Sequence, residues 1–126
     1  MEFNCLESFV TIATEKFELV VNFYSQLCKQ EPIIYRPSIY AEFQLNKLRI
    51  GIFQPKPENY GEFSHNYHSS ISICLEVLSL EQAIAFLSNL GYPPSGDIVE
   101  ASHGREIYAY DPVGNRLILH QEAPSK

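Results

Sequence analysis

GREIYAYDPVGNRLILH, residues Gly104–His120, has the pattern of two strands joined by a tight turn. In the first strand Ile107 and Ala109 share a face. In the second strand Leu117 and Leu119 do the same. DPVGN between them combines a proline that fixes φ, an aspartate that accepts nearby backbone N–H bonds, and glycine and asparagine, which tolerate positive φ. Because both faces of this hairpin carry large side chains, we expect one face to pack on a helix and the other to line a cavity.

The composition is that of a globular domain. A chain of 126 residues, 45% of them hydrophobic, is expected to form one domain over residues 1–126. The net charge of −6 disfavours nucleic acid, and no apolar run approaches the roughly 20 residues that span a bilayer. The N-terminus lacks a secretory-signal pattern, and three scattered cysteines indicate free thiols in a reducing compartment. We therefore expect a cytoplasmic protein that binds neither nucleic acid nor a membrane.

The chain divides into two halves with the same predicted order of elements: strand, helix and three strands. The first half covers residues 7–54, the second covers residues 70–121, and a polar segment, residues 55–69, joins them. Thr14 is predicted to cap the first helix, and Ser79 to cap the second in a capping box. Strands are predicted at residues 8–13, 33–36, 40–45, 47–53, 70–77, 97–101, 105–110 and 116–120, and helices at residues 15–27 and 80–90.

Two further features concern the relation between the halves. FYSQL, at residues 23–27, parallels FLSNL, at residues 86–90, near the ends of the two predicted helices. Together with the matching element order, this echo indicates a duplicated unit. The joining segment is rich in proline and polar residues, which favours a solvated loop, although its tyrosines and histidines could overhang a cleft.

A strand, a DPxGN turn and an apolar strand near the C-terminus, inside a duplicated unit, resemble the vicinal oxygen chelate superfamily. That group includes glyoxalase I, bleomycin-resistance proteins and extradiol dioxygenases. The resemblance covers about residues 7–121. It implies an α+β fold in which two βαβββ modules form a curled eight-stranded mixed sheet around a cleft, and it implies a homodimer.

The resemblance also points to four positions that hold a divalent metal in metal-dependent members. Counted from the Phe-Tyr pair of the first helix and from the DPxG turn, they are Phe9, Gly51, Ser72 and Ile118. None of the four side chains suits such a metal, so we expect no metal there and no cofactor. An alternative is a displaced metal site on the same face, formed by Glu76, Glu106 and His120.

Strand alternation predicts the residues of the concave face. They are Phe9, Thr11, Arg49, Phe53, Ser72, Cys74, Glu76, Glu106, Tyr108, Tyr110, Ile118 and His120. Aromatic rings with a few polar groups are typical of small-molecule pockets. Cys74 has no basic neighbour in sequence and is interpreted as a small buried hydrophobe.

The resulting expectation is a protein that binds an unidentified small molecule without catalysis, similar to the bleomycin-resistance proteins. One alternative is a metal-dependent lyase or dioxygenase, an oxidoreductase, that uses the displaced site. The other is a scaffold or regulatory subunit whose cleft is filled by its own aromatic rings. In that case Arg49 and Glu106 are interpreted as an ion pair across the sheet.

Overall fold

The computed structural model describes residues 2–64 and 69–124. These residues contain eight strands and three α-helices. The chain forms two compact units, residues 1–64 and 65–126, whose boundary falls inside the predicted joining segment. Within the described ranges, no helix has the length and apolar character needed to cross a membrane.

The first unit is a four-stranded sheet with one long helix packed on it. Its elements are β1 Val10–Ala13, α1 Phe17–Cys28, β2 Ile34–Arg36, β3 Tyr40–Leu45, β4 Leu48–Phe53 and α2 Tyr60–Phe63. The strand order is β1-β4-β3-β2, with β1 parallel to β4 and the other pairs antiparallel. Val20 and Tyr24 of α1 and Phe43, Ile50 and Ile52 of the sheet are fully buried, so the core lies between α1 and β3–β4.

The second unit repeats this architecture. Its elements are β5 Ile73–Glu76, α3 Leu80–Leu90, β6 Val99–Ala101, β7 Gly104–Tyr110 and β8 Arg116–Glu122, in the strand order β5-β8-β7-β6. Leu87 of α3 is buried, as are Ile107, Leu117 and Leu119 of the sheet. The predicted α+β fold with two βαβββ modules is confirmed, and the eight described strands are divided between two mixed sheets.

The turn between β7 and β8 has the chemistry that its sequence predicts. One carboxylate oxygen of Asp111 accepts the N–H groups of Val113 and Asn115 at 3.0 and 2.9 Å, and the other accepts the Asn115 side-chain amide at 2.8 Å. Gly114 has a φ of 89°, a conformation that favours glycine. The hairpin is therefore held by a buried aspartate and by local backbone geometry.

The two long helices begin differently. The Ser79 side chain accepts the N–H of Gln82 at 3.2 Å, which confirms the predicted cap of α3. The predicted cap of α1 is wrong: Lys16 occupies the capping position without a side-chain bond, and Thr14 accepts the Lys16 N–H at 2.9 Å before the helix begins. Thr14 stabilises the turn that leads into α1, so this helix starts two residues later than predicted.

Part of the predicted joining loop is helical. Residues Pro57–Asn59 form a 3-10 turn that leads directly into α2, Tyr60–Phe63. The ring of Phe63 meets the ring of Phe53 edge-on, with centroids 5.3 Å apart. This segment therefore contributes packing to the first unit, while the histidines and the tyrosine at 65–68 lie outside the described residues.

Candidate functional site

The face of the second sheet opposite α3, here called the distal face, carries the predicted site residues of that half. Tyr108 pairs with Ile118 across β7 and β8, and Glu106 pairs with His120. The neighbouring strand β5 adds Cys74 beside Ile118 and Glu76 beside His120. Because alternate residues of a strand share a face, these side chains, with Tyr110, lie together as predicted.

Exposure separates the distal face from the core. Tyr108 and Tyr110 are 48% and 41% exposed; both pair with β8, whereas the pairing of β7 with β6 ends at Glu106. Cys74 is exposed, which corrects its interpretation as a buried hydrophobe. The Arg116 guanidinium lies 6.0 Å from the centroid of the Tyr108 ring and donates a 2.8 Å hydrogen bond to Ser72. The face thus presents aromatic surface beside an anchored positive charge.

One end of this face holds a chain of hydrogen-bonded acid and imidazole groups. His120 Nδ1 lies 2.7 Å from a Glu76 carboxylate oxygen, and His120 Nε2 lies 2.9 Å from His103 Nδ1. Because a carboxylate only accepts hydrogen bonds, it holds the proton of His120 on Nδ1 and leaves Nε2 as an acceptor. Donor atoms of His103, Glu106 and His120 all lie within 4.8 Å of one another. The structure therefore brings the predicted Glu76, Glu106 and His120 together and adds a second histidine.

Gly104 determines where His103 lies. This glycine begins β7 with a φ of 141°, and a β-carbon placed on it would lie 2.2 Å from the carbonyl oxygen of Gln121. The His103 carbonyl oxygen accepts the N–H of Ala123 at 3.2 Å. Since no side chain separates the two backbones, the turn before β7 lies close against the end of β8. The His103 ring consequently stacks on the His120 ring, with centroids 5.1 Å apart.

In the first unit the predicted site residues belong to a more closed arrangement. The Arg49 guanidinium lies 4.2 Å from the centroid of the Phe9 ring and forms an ion pair with Glu7. Its Nε is 3.8 Å from a Glu42 oxygen and, within the described ranges, has no hydrogen-bond acceptor. Arg49 therefore has acidic neighbours in its own unit.

Tyr40 covers the middle of the first distal face, the side of that sheet opposite α1. Its hydroxyl donates to Glu42 at 2.7 Å. Burial, followed by the bond to Glu42, raises the pKa of Tyr40 to about 12, so the phenol stays protonated and acts as a donor. A β-carbon on Gly51 would lie 2.6 Å from the Tyr40 hydroxyl, so the glycine makes room for this ring. Thr11 pairs with Gly51 and is exposed, and Phe53 packs on Phe63.

The four positions that the resemblance assigns to a metal do not fit one. The ring of Phe9 lies beneath a guanidinium, and Gly51 lies beneath the Tyr40 ring. The Ser72 hydroxyl is already bonded to Arg116, and Ile118 has no donor atom. A divalent ion needs several oxygen, nitrogen or sulfur donors, and this set offers a single hydroxyl.

His103, Tyr40, Glu42 and Glu7 are site residues that the sequence reasoning missed. The pairing of Glu106 with His120 follows from counting outward from the DPVGN turn, and that count was a usable signal. His103 precedes Gly104 in a turn whose approach to β8 depends on a special backbone conformation. A close contact between two backbones cannot be predicted from the pattern of hydrophobic residues.

Comparisons with known proteins give similar folds among solved structures, but no match at the level of sequence families. No family model matches the sequence, and no curated protein sequence matches it. Among solved structures, a fosfomycin resistance protein, FosX, from Listeria monocytogenes is 19% identical, with a TM-score of 0.74 over 96% of each chain. A glyoxalase/bleomycin resistance protein from Catenulispora acidiphila is 21% identical, with a TM-score of 0.63 over 95% of this chain and 100% of that one.

A third similar structure is a glyoxalase-related enzyme from Fulvimarina pelagi. It is 15% identical, with a TM-score of 0.68 over 94% of this chain and 89% of that one. These likenesses span nearly the whole chain, so they agree with the two modules described above. The resemblance expected from the sequence is confirmed as a structural one: the chain has the fold of the vicinal oxygen chelate superfamily, to which these proteins belong.

Proposed function

We propose that this protein binds a small organic molecule on the distal faces of its sheets. The observation that carries the proposal is the exposure of Tyr108 and Tyr110, which share one face of β7 beside Ile118 and Arg116 of the paired strand β8. Large aromatic rings carry much apolar area, and neighbouring exposed rings on one sheet face are typical of a binding surface. The contacts of Arg116 with Tyr108 and Ser72 add a fixed cation beside the rings.

The first unit supports the same proposal through Arg49. Its Nε is shielded from solvent and lacks an acceptor within the described ranges, so a ligand oxygen would satisfy a donor that the protein leaves unpaired. Phe9, 42% exposed, and Thr11 border this group. We infer a ligand that combines an apolar or aromatic body with oxygen acceptors.

A solved relative shows that the fold accommodates such a molecule. A variant of the Listeria FosX, 19% identical to this chain, was solved with Mn(II) and 1S,2S-dihydroxypropylphosphonic acid, a small organic acid. The proposal for this chain takes from that relative only the class of ligand. It includes no metal at Phe9, Gly51, Ser72 and Ile118, because those side chains do not suit one.

The test is a ligand screen followed by a matched pair of tyrosine variants. Small aromatic acids and cations are screened by saturation-transfer NMR, and hits are titrated against Tyr108→Ala and Tyr35→Ala. Both tyrosines are about half exposed, at 48% and 46%, but Tyr35 bonds to Glu18 of α1 instead of lying on a distal face. We expect Tyr108→Ala to raise the Kd at least about tenfold and Tyr35→Ala to leave it unchanged.

A screen without hits, or equal affinities in the two variants, would contradict the proposal and favour the scaffold alternative. The homodimer stays a prediction from the resemblance. Light scattering at micromolar concentration should give about twice the chain mass, and a mass near 14.4 kDa would contradict it.

A further inference from the structure

We propose that His103, Glu106 and His120 form a binding site for one divalent transition-metal ion, displaced from the four positions that the fold would use. The site lies at one end of the second distal face, and its ligands differ from Tyr108, Tyr110 and Arg116, on which the small-molecule proposal rests. It departs from the expectation of no cofactor, and it differs from the displaced site predicted from the sequence, which used Glu76 as a ligand.

The donor atoms fit one ion. Metal–nitrogen bonds of about 2.1 Å place two nitrogens that are 2.9 Å apart at an angle of roughly 90° about the ion, the value for neighbouring ligands of an octahedral site. Donors to one ion with such bonds lie at most about 4.2 Å apart. The three donors lie within 4.8 Å, so a shift of about half an ångström in the carboxylate suffices.

Glu76 has the role of orienting a ligand. Its bond to Nδ1 of His120 fixes the tautomer in which Nε2 is free to bind, the arrangement found where a carboxylate supports a metal-bound histidine. His103 needs only to carry its proton on Nε2 for Nδ1 to bind as well. Gly104 keeps His103 beside His120 without any metal, so little of the site has to be ordered on binding.

The chemistry of the donors defines the class of ion. Two imidazoles and one carboxylate suit Zn²⁺, Co²⁺, Ni²⁺ or Fe²⁺ better than Ca²⁺ or Mg²⁺, which prefer oxygen alone. His103 is exposed and Glu106 and His120 are partly exposed, so an ion can enter from solvent and retain open positions. Those positions would accept water or an oxygen-bearing molecule.

The experiment titrates chelator-stripped protein with Co²⁺, followed by absorption spectroscopy, and with Zn²⁺, followed by calorimetry. We expect about one equivalent of each metal to bind. His103→Ala and His120→Ala should each weaken binding at least about 100-fold, and Glu76→Gln about 10- to 100-fold, as for other partners of a metal-bound histidine. Circular dichroism checks that each variant is folded.

Glu100→Gln is the matched control. Glu100 belongs to the same hairpin as Glu106, but it pairs with Arg105 and so points to the opposite face. This variant should bind Co²⁺ and Zn²⁺ like the natural protein. The proposal is overturned if the natural protein fails to bind either ion at 1 mM, or if folded His103→Ala and His120→Ala variants bind as tightly as it does. Ligand titrations with Tyr108→Ala test the small-molecule proposal separately.

Discussion

The two units of this protein have one backbone plan and two different distal faces. In the first unit, Tyr40 lies over Gly51 and Arg49 lies over Phe9, with acidic partners for both polar groups. In the second, Tyr108 is exposed beside a cluster of histidine and glutamate. The difference teaches that two units can share one sheet order while their side chains build different distal faces.

The helices α1 and α3 also differ, both in the number of their buried residues and in how their ends are capped. The buried residues of α1 are Phe17, Val20, Val21, Phe23 and Tyr24, whereas those of α3 are Leu80 and Leu87. Helix α3 has a side-chain cap at its start and a glycine at its end; α1 lacks the first and ends at Lys29 in the left-handed conformation. The first helix is thus stabilised more by packing, and the second more by its ends.

The largest expected effect is a loss of stability, and it separates a core residue of β8, Leu119, from a distal-face residue of β7, Tyr108. Leu119 is 2% exposed, so Leu119→Ala should lower the free energy of unfolding by about 2–5 kcal/mol. Tyr108→Ala should cost less, because nearly half of that side chain is already in water. Urea unfolding of both variants measures the difference. Equal losses of unfolding free energy would mean that Tyr108 does not lie on the open face. The assignment of Leu119 would then fail as well, because both residues are placed by the same alternation of side chains along the hairpin.

A smaller loss of stability is expected from a substitution under the Tyr40 ring, which covers the distal face of the first unit. Gly51→Ala places a methyl group against the Tyr40 ring and should cost about 1–3 kcal/mol, because the ring must move away from Glu42. Gly61→Ala, where no atom lies within 4 Å, is the control and should be neutral or slightly stabilising.

A double variant shows whether the ring is the cause. With Tyr40→Ala already present, Gly51→Ala should cost little additional stability, because the ring that the methyl group would meet is gone. Chemical unfolding of the natural protein, the two single variants and the double variant measures this difference. Additive losses would mean that the first distal face is open like the second.

The smallest effect concerns equivalent acids at the second residue of each helix. Glu18 of α1 accepts the Tyr35 hydroxyl, whereas Glu81 of α3 accepts two bonds from Arg105. The Arg105 bonds lower the pKa of Glu81 from 4.5 to about 2. Because the folded-state pKa is the lower one, the stabilisation is present above pH 4.5 and is lost as the pH falls towards 2.

The measurement is the stability difference between the natural protein and Glu81→Gln as a function of pH. It should be small, since Glu81 is largely exposed, and it should shrink between about pH 4.5 and 2. A difference that is constant over this range would mean that the Arg105 ion pair does not contribute to the contrast between the helices.

Several features of the fold could be predicted from local sequence. DPVGN determines a turn through Asp111 and Gly114. The bonds that Asp111 accepts from Val113 and Asn115 span at most four residues, and the φ of Gly114 is a local property. Alternation determined which side chains of β7 and β8 share a face, and Ser79 determined the start of α3. Thr14 shows the limit of such reasoning, because a residue with capping chemistry three positions before the helix can serve the preceding turn instead.

Part of the candidate metal site could be predicted from the sequence, and part of it was determined by tertiary structure. That Glu106 faces His120 follows from the sequence of the hairpin alone, since both strands are counted from one turn. That His103 stacks on His120, that Arg49 covers Phe9 and that Tyr40 excludes a side chain at Gly51 were decided by tertiary structure. These contacts depend on the close approach of backbones and on the directions of long side chains, which a pattern of apolar and polar residues does not specify.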